Sequence, residues 1–131
     1  MYLKFLLFLE MLFCHIVDDY YLQGWLASAK QKSWWEKNSP GKLYEKDYLM
    51  ALGEHAFSWT FMIMVIPMIY TYLYPSQISC IVAFICFGLN WVIHCIVDHY
   101  KANLKHINLI QDQLIPIGQV VITWAILIFL T

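Results

Sequence analysis

Residues 78–101, ISCIVAFICFGLNWVIHCIVDHYK, decide how the whole chain is read. Residues 78–97 are apolar apart from Ser79, Asn90 and His94. That run is long enough to cross a bilayer as a helix, which takes about 20 residues. Asn90, His94 and Asp98 follow one another at intervals of four, so on a helix they stand above each other on one face. An ionisable group placed near a bilayer centre costs roughly 2.5–3.5 kcal/mol on insertion scales, so something must offset the histidine and the aspartate.

The same H-x3-D pair closes an earlier apolar run. Residues 15–23 read HIVDDYYLQ, with His15 and Asp19 again four apart. Two further apolar stretches follow the same pattern of length. The expected fold is therefore all-α: one polytopic membrane domain of four spans, at about 2–22, 55–74, 78–97 and 109–130. The composition agrees, with 61% hydrophobic and only 13% charged residues in 131. A soluble chain of that size cannot hide so much apolar surface. Pro67 is expected to kink the second span and Pro116 falls in the first third of the fourth. Pro75, Ser76 and Gln77 read as a tight turn.

Between the first two spans lies a polar stretch, residues 23–54. It carries Lys30, Lys32, Lys37, Lys42 and Lys46 together with Trp25, Trp34, Trp35, Tyr44 and Tyr48. Lysine mixed with tryptophan and tyrosine suits the headgroup level, as one or two short interfacial helices broken at Pro40. A solvated linker is the plainer alternative. The first connection has five lysines, the third has two and the second none, which places the first and third in the cytoplasm and both termini outside.

The up-and-down order brings the polar groups to one depth whichever way the chain is oriented. His15, Asp18 and Asp19 end span one, and His55 opens span two. His94 and Asp98 end span three, and Asp112 opens span four. Ends of odd helices and starts of even helices share one side of a hairpin stack. His15, Asp19, His55, His94 and Asp98 thus form a candidate ligand set for a divalent metal ion, zinc first, with manganese, iron or magnesium as alternatives. Asp112 and Asp18 are spare carboxylates, candidates for a general base or a second metal. Gln23, Lys30, Lys101 and Gln113 are candidates to orient ligands or grip an anionic substrate. His99 and His106 belong to the solvated connection. Glu10 points away from the His15/Asp19 face, toward a second subunit of a homo-oligomer or a polar lumen.

Some classes are excluded. The net charge is −1, and all eight basic residues are lysine, so bidentate arginine readout of nucleic acid is not available. Cys14, Cys80, Cys86 and Cys95 show no C-x-x-C spacing and read as small buried residues. The N-terminal run lacks a small-residue cleavage site before Asp18 and is expected to be retained.

The ordered motifs H-x3-D-x3-Q, W-L-A-x-x-K, a histidine opening span two, H-x3-D-x-x-K and D-Q opening the last span resemble domain of unknown function family 3307. Here they are His15, Asp19 and Gln23, then Trp25, Leu26, Ala27 and Lys30, then His55, then His94, Asp98 and Lys101, then Asp112 and Gln113. The family comprises small polytopic membrane proteins of bacteria and their phages, so the resemblance implies a bacterial inner membrane. The family pattern ends D-Q-x-x-H, and this chain has Pro116 in place of that histidine. The motif style is similar to that of membrane-bound metal-dependent hydrolases, an analogy only.

Three functions follow, in order. The first is a metal-dependent membrane hydrolase acting on a lipid-linked or headgroup phosphate at the cytoplasmic interface. The second is a small oligomeric pore or proton or ion conductor, such as a phage-type envelope effector. The third is a membrane docking protein whose His/Asp cluster is a structural metal staple.

Overall fold

A computed structural model describes residues 2–74 and 77–130. Pro75 and Ser76, two of the residues read as a tight turn, lie outside them. Every regular element among the described residues is helical. In chain order they are α1 (Tyr2–Val17), α2 (Leu26–Ala29), α3 (Lys32–Asn38), α4 (Asp47–Leu73), α5 (Gln77–His99) and α6 (Leu109–Leu130). Two π-helical turns, Asp18–Leu22 and Tyr100–Leu104, extend α1 and α5, and a 3-10 turn, Lys42–Tyr44, precedes α4.

The four long helices form a ring. α4 packs on α1 and α5, and α6 closes the ring between α5 and α1. α4 shows why. Ala51, Leu52, His55, Ala56, Trp59, Thr60, Ile63, Met64, Pro67 and Thr71 recur at three- and four-residue steps, and all are buried. Of these, Trp59, Ile63 and Met64 form one core with Met11 and Cys14 of α1, Ala83 and Cys86 of α5, and Val120 and Leu127 of α6. The outward faces are just as apolar. Phe13 is 65% exposed, Phe84 67% and Phe129 81%. A ring apolar inside and out is what a lipid-solvated bundle looks like.

Three stretches are long and apolar enough to cross a membrane: Lys42–Leu73, Cys80–Leu104 and Leu109–Phe129. α1 has only 16 residues, about 24 Å at 1.5 Å per residue, and falls short of a 30 Å hydrocarbon core by itself. Its backbone stays helical through Val17 into the π turn. The helix that carries the second expected span, α4, begins at Asp47, two turns ahead of residue 55. Its first two turns bury Ala51 and Leu52 and leave Leu49 and Met50 exposed, and α4 packs on α2.

That stretch is packed. Ala29 is fully buried and Lys30 is 7% exposed. The small residues of α2 let its backbone close over the end of the ring. Trp35 Nε1 donates to the Ala29 carbonyl at 2.6 Å, and Asn103 Nδ2 donates to the Lys30 carbonyl at 3.0 Å. Two short helices are present, placed as a lid on the bundle, but the break between them is at Lys30 and Gln31, and Pro40 instead separates α3 from the 3-10 turn.

Asn90, in step with His94 and Asp98, serves a different purpose. Its Nδ2 donates to Thr123 Oγ1 at 2.7 Å, and Gln119 Nε2 donates to its Oδ1 at 3.0 Å, clasping α5 to α6.

Candidate metal centre

The π turn after α1 carries two neighbouring carboxylates that point to different sides. Asp18 faces α4, where its Oδ1 accepts from Ser58 Oγ at 2.7 Å and its Oδ2 lies 3.8 Å from His55 Nδ1. Asp19 turns into the ring, with Oδ1 3.7 Å from His55 Nε2 and 4.0 Å from His94 Nε2. The two Nε2 atoms are 3.4 Å apart. One donor atom from each of Asp19, His55 and His94 thus falls within 4.8 Å of the other two. Around a tetrahedral ion with bonds of about 2.0–2.2 Å, donor atoms stand about 3.3–3.6 Å apart. The observed separations need little closure to meet that.

Trp59 holds two histidines in place. Its ring stacks flat on His94, centroids 4.1 Å apart and planes 5° apart. Its Nε1 donates to His15 Nδ1 at 2.9 Å. An indole N–H can only donate, so His15 Nδ1 is an acceptor there, and its 3.6 Å approach to Asp19 Oδ2 is not a hydrogen bond. His15 was expected among the ligands. It stands behind Asp19 with one ring nitrogen committed to Trp59.

Asp98 was also expected as a ligand. Its Oδ2 lies 3.2 Å from His55 Nε2, and it accepts from Lys30 Nζ at 2.7 Å. Lys30, read as a grip for an anionic substrate, is instead drawn inward to this carboxylate. Lys101, read in the same way, pairs with Asp112. Asp112, a candidate base, is 4% exposed and shares Gln113 Nε2 with Asp19, at 3.2 Å to each carboxylate. Gln23 Nε2 donates to the Asp19 carbonyl at 2.8 Å and reaches its Oδ1 at 3.5 Å. Both glutamines therefore orient Asp19. Asp18, the other candidate base, is 1% exposed and sits behind His55, on the far side of that ring from Asp19.

His55 is thus flanked on both nitrogens. A proton on Nδ1, facing Asp18, leaves the Nε2 lone pair directed at the centre, the arrangement that carboxylates impose on metal-binding histidines. Asp18 Oδ2 and His55 Nδ1 are both buried without a hydrogen-bond partner, and a shift of about 1 Å would pair them.

The charges do not balance. Asp18, Asp98 and Asp112 are at most 4% exposed, and the Asp19 side chain is 7% exposed. Four buried carboxylates face two ammonium groups, Lys30 and Lys101. With neutral histidines and all four carboxylates ionised, the cluster would carry two uncompensated negative charges.

Three contributors escaped the sequence reading: Trp59, Ser58 and Asn103. Trp59 stands one turn from His55 and Ser58 three residues from it, a spacing that marks the same face. Asn103 had no such signal.

Glu10 lies away from the centre. Its Oε1 accepts from Cys14 Sγ at 2.9 Å, and it borders a groove of about 290 Å³ between α1 and α4 with Tyr70 and Tyr74.

The chain matches no family model, no curated protein and no solved structure.

Proposed function

We propose that the protein is an integral membrane metalloprotein that holds one divalent transition-metal ion, zinc first, between Asp19, His55 and His94. The observation that carries this reading is the convergence of one donor atom each from Asp19, His55 and His94, all within 4.8 Å of one another. Were all four carboxylates of the cluster ionised, one divalent cation would also cancel the two charges that Lys30 and Lys101 leave. Two histidines and one carboxylate leave a fourth position free, the mark of a catalytic rather than a structural zinc site.

In this reading α1 and its π turn form a fourth span, and the bundle lies in a bacterial inner membrane, as the resemblance to family 3307 would imply. A bound ion supplies Lewis acidity and an acidified water for hydrolysis of a lipid-linked or headgroup phosphate ester. Asp98, beside His55 Nε2 and steadied by Lys30, takes the general-base role in preference to Asp18 or Asp112. Gln23 and Gln113 hold Asp19 in position. Lys101, with a side chain 36% exposed, is the group of the cluster nearest to solvent.

Elemental analysis of the detergent-purified protein tests the metal. About one zinc, manganese or iron per chain is expected, lost in His55→Ala and in His94→Ala and kept in His15→Ala. Full metal in a His55→Ala/His94→Ala double variant overturns the centre. Chelator-sensitive phosphate release from lipid-linked phosphates in mixed micelles, abolished by Asp98→Asn with metal retained, tests the hydrolase.

A second reading, proton transfer, draws on the continuity of the cluster. Asp19 is within 4 Å of His15, His55 and His94, and Asp98 is within hydrogen-bond reach of His55 and Lys30. Proton flux in proteoliposomes from a chain that purifies free of metal would favour it.

A further inference from the structure

Outside the metal centre, the lid meets α4 at an aromatic corner. Trp25, Trp34 and Trp35 pack edge to face, with centroids 5.1–6.1 Å apart and planes 82–85° apart. Trp25 and Trp35 border an open cavity of about 370 Å³, whose other walls are Asp47, Met50, Ala51 and Glu54 of α4. That volume is at the small end of ligand pockets, suited to a headgroup rather than a large molecule. Trp25 is 56% exposed and Glu54 is exposed. Among the described residues neither Asp47 nor Glu54 is in an ion pair.

Tryptophan at a membrane surface is ordinary, and an aromatic belt needs no ligand. What sets this corner apart is its charge. None of the five lysines of the connection lines the cavity, whereas two unpaired carboxylates do. Perpendicular indoles beside carboxylates repel a phosphate and gain nothing from an acyl chain. They suit a compact organic cation, attracted by the π faces and by the negative charge together. Glu54 directly precedes His55, so the corner lies at the depth of the metal centre on another face of α4.

We propose that this corner binds an alkylammonium group, the chemistry of choline and ethanolamine, whether free or as a lipid headgroup. The site uses none of the metal-centre residues and stands independently of that reading.

The full chain in non-ionic detergent is titrated with tetramethylammonium chloride, and tryptophan fluorescence is read against sodium chloride at equal ionic strength. A saturable change specific to tetramethylammonium is expected. Trp25→Ala should weaken it about three- to thirty-fold, the range of one cation–π contact. Asp47→Asn/Glu54→Gln, a nearly isosteric pair of changes on the surface of α4, should weaken it on the order of tenfold without altering elution volume. Competition by free choline alone assigns a soluble ligand, and competition by phosphatidylcholine or phosphatidylethanolamine in the micelle assigns a lipid. Identical responses to tetramethylammonium and sodium, or full binding by the Asp47→Asn/Glu54→Gln chain, would overturn the proposal.

Discussion

Replacing Lys30 by methionine is the most direct probe of the lid. The chain keeps its stem volume and loses one charge. Lys30 Nζ is 2.7 Å from Asp98 Oδ2, and the two side chains are 9% and 5% exposed. Without the ammonium, Asp98 remains buried, with His55 Nε2 at 3.2 Å its one other ion-pair neighbour among the described residues. Removing one partner of a buried pair costs about 3–5 kcal/mol, because the other charge is stranded. That is roughly two to four orders of magnitude in the folding equilibrium, and a large share of the 5–15 kcal/mol that holds a typical domain. Denaturation by sodium dodecyl sulfate, followed by tryptophan fluorescence in mixed micelles, reads it. Lys30→Met should unfold at much lower denaturant, with a deficit insensitive to salt, since a buried pair is poorly screened. Lys30→Met/Asp98→Asn should recover most of the loss, because neither charge is then stranded. A lysine waiting at the surface for a phosphate would show neither effect. Wild-type stability in Lys30→Met, or a double variant that simply adds two losses, would refute the buried-pair argument.

Asp18→Asn removes the carboxylate behind His55 and should weaken zinc binding about 10- to 100-fold, read by competition with a chromophoric chelator, while the chain still inserts. Trp59→Phe keeps a ring against His94 but loses the donor to His15. It should cost about 1 kcal/mol in the same denaturation assay with metal content unchanged. Trp59→Ala opens a cavity at a fully buried position and should cost about 3–5 kcal/mol. Lys101→Met breaks a pair whose lysine is more than one-third exposed, so its stability cost should stay within about 1 kcal/mol and shrink in high salt.

The helices and their shared polar depth were legible because both follow from pattern. Apolar runs of spanning length identify helices, and hairpin order brings His15, Asp19, His55, His94 and Asp98 to one end. Which of them share a point was not legible. That depends on the packing of the helices, because consecutive residues of a helical turn point roughly a right angle apart and adjacent Asp18 and Asp19 reach opposite nitrogens of the His55 ring. The fate of Lys30 was hidden for a related reason. Lysine near tryptophan reads as interfacial, yet Ala27, Ser28 and Ala29 are small enough for the backbone to enter the ring and carry Lys30 to Asp98. Small residues beside a cation were the available clue, and charge counting alone passes over it. α4 starts at Asp47, ahead of the apolar run, because hydropathy marks where a helix becomes apolar rather than where it begins.

One divalent cation and two protons are equivalent in charge, but they are not equivalent in geometry. Protonating both His55 and His94 would set two N–H groups against each other across 3.4 Å. Each ring would also carry positive charge beside the other, with Asp98 Oδ2 at 3.2 Å serving His55 alone and Asp19 Oδ1 no nearer than 3.7 Å to either. A cation between them instead uses both lone pairs, and the rings already lean toward one point, His94 against Trp59 and His55 in front of Asp18. The same closure draws α1, α4 and α5 together, so binding and folding are coupled. Zinc at a hundred times its Kd should therefore stabilise the detergent-solubilised chain by about 2.7 kcal/mol. Mild acid, which supplies protons without the bridging geometry, should not. Equal stabilisation by acid in the presence of chelator would transfer the cluster from metal binding to proton transfer.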